Sequence, residues 1–166
     1  MSRVQSFPPI EPQAARLLIL GSMPGVVSLR AQQYYAHPQN LFWRTLGSAL
    51  HFDATADYAA RVSALQAQGI AVWDVLQTCV REGSLDADIE ADSIVPNDFA
   101  AFFARQPGIE RVCFNGTAAD TLFRRHVLPG LPCLQAELIR LPSTSPANAS
   151  IPQAEKIKAW VQAIAS

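Results

Sequence analysis

The chain has 166 residues, of which 49% are hydrophobic and 16% charged, and its formal net charge is −1. This length and composition predict one globular domain over residues 1–166 and exclude a disordered chain. No apolar run approaches the roughly 20 residues of a membrane span, and the first residues lack the apolar segment of a secretory signal, so we expect a cytoplasmic protein that contacts no membrane.

Predicted strands and helices alternate along the chain. Residues 1–13 contain three prolines and form a predicted extended arm. Four apolar runs, bounded by glycine, proline or polar residues, are predicted strands: Arg16–Gly21, Ile70–Leu76, Arg111–Asn115 and Cys133–Leu141. Helical patterns cover Pro38–Leu50, Ala56–Gln68, Asn97–Gln106, Thr117–His126 and Pro152–Ala165. We expect Gly69 to end the second of these helices and Asn97 to cap the third.

This alternation predicts an α/β fold, a three-layer α/β/α sandwich around a parallel sheet. Ligands of such sheets bind beyond the carboxyl ends of the strands. We therefore expect the functional residues just after Leu20, Trp73, Phe114 and Leu141.

The segment after the first strand combines a glycine-rich turn with flat and polar side chains. The turn is Gly21-Ser22-Met23-Pro24-Gly25, whose glycines let a ligand approach the backbone; alone, it also fits an ordinary strand-to-helix connection. After Ser28 come side chains suited to stacking on a base and bonding to its edge: Tyr34, Tyr35, His37, Gln39, Asn40, Phe42 and Trp43. The pattern matches neither a P-loop nor an esterase nucleophile elbow.

Polar residues also follow the other strands. Asp74 stands in an otherwise apolar strand, where a buried carboxylate is costly unless it is partnered; it either pairs with Arg81 or contacts a bound base. Asn115 either caps the next helix or contacts the base. The segment Ser143-Thr144-Ser145-Pro146-Ala147-Asn148 offers hydroxyl groups that can bind a phosphate without net charge, although the same pattern is typical of a plain loop.

Cysteine and lysine usage narrows the chemistry. Cys79, Cys113 and Cys133 are far apart and form no CxxC pair, which argues against a disulfide framework, a zinc site or an iron–sulfur cluster. We expect no metal and no cofactor. Lys156 and Lys158 lie outside every motif, so a lysine Schiff base is not expected.

Together these segments resemble a known family. GSMPG, YYAHPQNLFWR, WDVLQTCVREGSLD, FNGTAA and LPSTSPAN stand in the order and spacing of the hypoxanthine-DNA glycosylase (DNA-deoxyinosine glycosylase) family of the uracil-DNA glycosylase superfamily. The resemblance extends from about Leu17 to Trp160. It implies a four-stranded parallel sheet, and an enzyme that hydrolyses the N-glycosidic bond of hypoxanthine flipped out of DNA, in base excision repair. We expect this enzyme to be a monomer.

The resemblance also implies roles for individual residues. Asn40, on the helix after the first motif, would orient the attacking water, because Gly21–Gly25 contains no Asp or Asn. Asp74 takes the place of a base-recognising asparagine. His37 either donates to the departing base or braces the loop. The base would lie against Gly21–Gly25, Tyr35 and Phe42, with the N–H groups of Ser22 and Met23 facing its carbonyl oxygen.

DNA contacts are expected on both sides of that pocket. Ser28, Ser143 and Ser145 are predicted to hold the phosphates that flank the flipped nucleotide, and Thr144, Pro146 and Ala147 are predicted to form the wedge that fills the gap. Arg30, Arg44 and Arg124–Arg125 would supply local positive potential despite the neutral total.

Three other functions remain open. The first is a uracil-DNA glycosylase of broad or mismatch specificity. The second is a flavodoxin-like module that binds a phosphorylated ligand through GSMPG and PSTSP, and the third is a relative that binds damaged DNA without cutting it.

Overall fold

The computed structural model describes residues 3–165, so the first two residues of the predicted arm and the last residue of the predicted domain lie outside it. The strands are β1 (Arg3–Gln5), β2 (Leu17–Gly21), β3 (Ile70–Asp74), β4 (Leu76–Val80), β5 (Val95–Pro96), β6 (Arg111–Asn115) and β7 (Glu137–Leu141). The helices are α1 (Val26–Ala31), α2 (Phe42–Leu50), α3 (Tyr58–Ala67), α4 (Phe99–Arg105), α5 (Thr117–His126) and α6 (Gln153–Ala165). No helix of this part of the chain is long and apolar enough to cross a membrane.

A four-stranded sheet in the order β3-β2-β6-β7 forms the centre of the fold, and all its strands are parallel. This confirms the predicted sheet. Its register places Gly21 opposite Asp74 and Asn115 opposite Leu141. The polar residues at the strand ends are therefore brought to one edge of the sheet.

Apolar side chains cover both faces of this sheet, which explains why β2 is buried along its whole length. Leu18 and Leu20 pack with the aromatic side chains of α4 and α5. Leu17 and Ile19 point to the other face, where α2, α3 and α6 contribute Phe42 and other large residues. The two separate hydrophobic clusters correspond to the predicted three-layer α/β/α sandwich.

A second, antiparallel sheet of β1, β4 and β5 was not predicted. The sequence predicts one strand over Ile70–Leu76, but the central sheet loses this strand at Asp74, and Leu76 begins a strand that pairs with β1 and β5. The predicted arm is partly regular, because Arg3–Gln5 lies in β1 and Ile10 bridges to Val72. An apolar run alone does not reveal which sheet its residues join.

Several predicted boundaries shift. Helix α2 begins at Phe42, so Asn40 precedes the helix instead of lying on it. Asp98, and not Asn97, caps α4 by accepting a hydrogen bond from the Ala101 N–H. The predicted strand Cys133–Leu141 begins only at Glu137, and helix α1 was not predicted.

Other boundaries hold. Strand β6 and helix α5 have the predicted limits. Gly69, with φ of +73°, follows the end of α3 as predicted, in a backbone conformation that favours glycine.

Candidate active site

A cavity of about 450 Å³ opens at the carboxyl ends of the central strands. All the predicted site residues except Phe42 and Asn148 line it: Gly21, Ser22, Met23, Pro24, Gly25, Ser28, Tyr35, His37, Asn40, Asp74, Asn115, Ser143, Thr144, Ser145, Pro146 and Ala147. Its volume lies within the range of about 300–1,000 Å³ that is usual for small-molecule sites.

Close contact between Gly21, Asp74 and Tyr35 forms the floor of the cavity. A Cβ atom on Gly21 would lie 2.5 Å from Asp74 Oδ1 and 2.9 Å from the Tyr35 hydroxyl oxygen, so only glycine fits at this position. Tyr35 has φ of +54°, a conformation that is uncommon outside glycine. The Asp74 carboxyl and the Tyr35 hydroxyl therefore lie over the backbone of Gly21, which carries no side chain.

Phe42 supports this floor from below, and its predicted contact with the base is wrong. Its ring stacks on Tyr35 with centroids 4.0 Å apart and planes inclined by 19°. It is fully buried in the core and does not line the cavity. Phe42 therefore fixes the plane of Tyr35.

Asp74 is buried, and its charge is not compensated by an ion pair. It is 3% exposed, and its Oδ2 has no hydrogen-bond partner among the described residues. Burial, and next the charge of Asp86, raise the pKa of Asp74 to about 7, while Arg81 opposes this shift. Of the two alternatives for Asp74, the pair with Arg81 is not found, because Arg81 donates instead to the carbonyl oxygens of Pro24 (2.6 Å) and Gly83 (2.9 Å).

The Tyr35 hydroxyl is the second cavity-lining group with a buried atom that has no partner; the other two such atoms in residues 3–165, Thr45 Oγ1 and Arg81 Nη1, belong to residues that do not line the cavity. Burial, and next the carboxylate of Asp74, raise the pKa of Tyr35 above its ordinary value, so the phenol stays neutral. Asn115 lies nearby and opposes this shift, and it is itself bonded to Thr144 through its Oδ1 and one of its two Nδ2 protons. Since buried polar groups in proteins are normally satisfied, the two orphaned atoms on the cavity floor are suited to a bound ligand.

Residues 84–86 form a wall of the cavity that the sequence did not reveal. Ser84, Leu85 and Asp86 line it. The Ser84 hydroxyl accepts a hydrogen bond from the Val26 N–H at 2.8 Å, and the Ser22 hydroxyl donates to Asp86. WDVLQTCVREGSLD already stood out in the sequence, but its approach to Gly21–Gly25 depends on the turn after β3, which was missed.

Asn115 anchors the serine-rich loop, residues 143–148. Its Nδ2 donates to Thr144 Oγ1 and its Oδ1 accepts from the Thr144 N–H, both at 2.9 Å. The predicted helix cap is therefore wrong, since Gly116 occupies the cap position of α5. The predicted role of Thr144 in the wedge is also wrong, because Thr144 is only 1% exposed. Pro146 and Ala147 remain exposed at the tip of the loop.

Asn40 and His37 lie together at the mouth of the cavity. The Asn40 Oδ1 accepts from the Phe42 N–H at 2.9 Å, which fixes its amide just before α2. The exposed His37 accepts a hydrogen bond from the Gln39 N–H through Nδ1 at 3.1 Å, and its carbonyl oxygen accepts from the Asn40 N–H. This geometry agrees with a bracing role for His37 and leaves its Nε2 as a further polar group.

The predicted phosphate ligands have hydroxyl oxygens that accept from the backbone. Ser28 accepts from the Ala36 N–H, Ser143 from the Ser145 N–H and Ser145 from the Ala147 N–H. Each hydroxyl thereby keeps its proton for donation to another acceptor. Ser28 is buried, whereas Ser143 and Ser145 are half-buried.

Lys156 supports the base of this loop, which the sequence did not predict. It is 4% exposed, and its ammonium group donates to the carbonyl oxygen of Asn148. Asn148 in turn donates to the Ser143 carbonyl oxygen at 3.4 Å.

Of the arginines expected to attract DNA, Arg124 is paired with Asp120 and Arg44 donates to Gln153.

Comparisons with known proteins give the family of this chain. The family model described as "Uracil DNA glycosylase superfamily" matches residues 8–164. A protein of Methanosarcina barkeri named hypoxanthine DNA glycosylase is 42% identical over 113 residues, 68% of this chain and 70% of the relative. A protein of the same name from Methanosarcina acetivorans is 36% identical over 145 residues, 87% of each chain.

A solved structure is similar over nearly the whole chain. It is the solution NMR structure of a protein from Methanosarcina acetivorans described as a candidate uracil DNA glycosylase. The TM-score is 0.83 and the identity 32%, and the match covers 99% of this chain and 98% of the other.

Proposed function

Since the chain belongs to the uracil DNA glycosylase superfamily, we propose that it is a monofunctional DNA glycosylase that hydrolyses the N-glycosidic bond of hypoxanthine flipped out of DNA. The two relatives named hypoxanthine DNA glycosylase support this choice of base. The observation that carries the proposal is the pair of unpartnered buried groups, Asp74 Oδ2 and the Tyr35 hydroxyl, on the floor of the cavity.

This pair is complementary to the edge of a deaminated base. Hypoxanthine presents an N–H group next to a carbonyl oxygen, whereas adenine presents a bare ring nitrogen next to an amino group. In our proposal Asp74 accepts the N–H and Tyr35 donates to the carbonyl oxygen. Adenine has no N–H at that ring position and would leave the buried carboxylate without a donor, at a cost of about 1–3 kcal/mol.

Bond cleavage would follow from stabilisation of the leaving base and from placement of the water. As the bond between the sugar C1′ and the base breaks, its electron pair moves onto the base, and N–H groups of Ser22 and Met23 would stabilise that charge. Asn40 would orient the water whose oxygen bonds to C1′, and the proton that this water loses would end on the departing base. His37 would donate to the departing base through Nε2 or brace the loop.

The DNA would be held mainly without charged side chains. Ser28, Ser143 and Ser145 would donate to the flanking phosphates, and the exposed Pro146 and Ala147 would enter the gap that the base leaves. We further propose that the protein acts as a monomer in the cytoplasm, and light scattering at assay concentration tests the monomer.

A lyase step through a lysine is not part of this proposal. Lys156 is buried and bonded to Asn148, so it is not available to attack the sugar. The product would therefore be an abasic site in an intact strand.

Single-turnover base release tests the proposal. Matched duplexes with hypoxanthine, uracil or xanthine at one position are incubated with excess protein, and abasic sites are revealed by alkali. We expect release of hypoxanthine, with strand scission only after alkali. Faster release of uracil, which carries the same N–H and carbonyl edge, would instead support the second candidate, a broad uracil-DNA glycosylase. No release from any duplex by the folded protein would refute a glycosylase.

A further inference from the structure

Leu85 is an exposed leucine at the rim of the cavity. In residues 3–165, four large apolar side chains are exposed, and two of them, Val27 and Leu85, line this cavity. Leu85 is the most exposed of the four, at 53%. Single exposed apolar side chains are common on protein surfaces, but Leu85 is also held in place by its two neighbours in the chain.

Both neighbours of Leu85 are tied to the turn after β2. Ser84 accepts from the Val26 N–H, and Asp86 accepts from the Ser22 hydroxyl. Arg81 links the same two segments by donating to Pro24 and Gly83. Leu85 is thus presented from a braced backbone, which lowers the conformational entropy lost when it contacts a partner.

The charge around Leu85 restricts what that partner can be. Glu82, Asp86 and Asp88 are exposed beside it and would repel a phosphate. The segment can therefore approach DNA only where its apolar side chain meets the faces of bases. A duplex from which one base has swung out offers such faces, and proteins insert leucine between base steps in this way.

The loop of residues 143–148, on the β7 side of the cavity, exposes only small side chains at its tip, Pro146 and Ala147. These residues fill less of the gap left by a base than a leucine does. Leu85 lies on the β2–β3 side of the same cavity.

We propose that Leu85 packs against the bases that flank the flipped nucleotide and helps to hold the duplex open. This inference rests on the proposed function, since it requires that a base enters the cavity. It makes Leu85 a DNA-contact residue that acts on duplex substrates and has no role once the strand is already single.

Base release from two forms of the same strand tests this role. Hypoxanthine is placed in a duplex and in the matching single strand, and single-turnover rates are measured for the wild type, Leu85→Ala, Leu85→Met and Val95→Ala. Val95 is the matched control, because it is 42% exposed but lies in β5 away from the cavity. Melting temperatures establish that the variants are folded.

We expect Leu85→Ala to slow release from the duplex on the order of tenfold, since the contact area of a leucine is lost. Its rate on the single strand should equal that of the wild type. Leu85→Met should recover most of the duplex rate, and Val95→Ala should match the wild type. An equal loss on both substrates, or no loss on the duplex, would overturn the proposal.

A fluorescence measurement separates this inference from the proposed function. 2-Aminopurine placed beside hypoxanthine should brighten when the wild type binds and unstacks it, and brighten less with Leu85→Ala. If the wild type releases no base but shows this difference, the proposed reaction fails and the Leu85 contact stands. If the wild type and Leu85→Ala give the same fluorescence, or neither binds the duplex, the Leu85 contact is refuted.

Discussion

The buried carboxyl of Asp74 predicts a stability that depends on pH. Aspartate has an ordinary pKa of 3.8, and burial raises that of Asp74 to about 7. Between these two values the folded protein keeps a proton that the unfolded chain has lost, so its free energy of unfolding decreases as the pH rises. At 1.36 kcal/mol per pKa unit, the loss amounts to about 4 kcal/mol by pH 7, above which it no longer grows.

Asp74→Asn removes this titration while keeping the shape of the side chain. We expect the variant and the wild type to have similar free energies of unfolding near pH 4. The variant should become the more stable of the two as the pH rises, by up to about 4 kcal/mol at pH 8. Urea unfolding curves at intervals between pH 4.5 and 8.5 measure this difference, in which the other titrating groups cancel.

Glu82→Gln is the matched control, because Glu82 is an exposed carboxylate in the same region of the chain. Its free energy of unfolding should stay close to that of the wild type. Parallel curves for wild type and Asp74→Asn across the whole range would show that the folded protein does not hold a proton on Asp74 at these pH values. A large loss of stability in Asp74→Asn at every pH would instead give Asp74 a structural role.

Three further changes test the site. Asn40→Ala should lower the single-turnover rate of base release by about 100-fold or more, since the attacking water loses its position, while gel-shift affinity for the duplex is kept; turnover like that of the wild type would remove Asn40 from the mechanism. Asn115→Ala should lower the free energy of unfolding by about 1–3 kcal/mol, because the buried Thr144 loses its two hydrogen bonds to Asn115; an unchanged urea midpoint would contradict this. Lys156→Met should leave the Asn148 carbonyl oxygen without its donor, so that the loop of residues 143–148 loses support and the affinity for the duplex falls. With the wild type, borohydride should trap no protein–DNA adduct; a trapped adduct would show a lyase.

Much of the central fold was predictable because its signals are local. The apolar runs at β2 and β6 fit strands that are covered on both faces, and β6 and α5 have the predicted limits. The second sheet was not predictable in this way. Its strands pair segments far apart in sequence, such as Arg3 with Val80, and β4 continues the apolar run of β3 after a single residue.

The sequence predicted the location of the site more accurately than the roles of its individual residues. Parallel strands bring their carboxyl ends together, so Gly21–Gly25, Asp74 and Asn115 were expected at one edge, where the structure places them. The roles of the remaining residues depend on which side chains are buried. Phe42 supports Tyr35 from the core, and Thr144 is bonded inside the loop. A short stretch of sequence reveals neither this burial nor the hydrogen bonds that tie residues 84–86 to the turn after β2.

The close fit of Gly21 under Asp74 and Tyr35 has a consequence for how this enzyme can change. A side chain at position 21 would meet both the Asp74 carboxyl oxygen and the Tyr35 hydroxyl, so position 21 can change only together with positions 35 and 74. A protein that carries a larger residue at position 21 needs smaller or displaced side chains at the other two. Altering the pocket by a single substitution at position 21 is therefore blocked, and libraries that randomise all three positions together give access to pockets that stepwise changes do not reach.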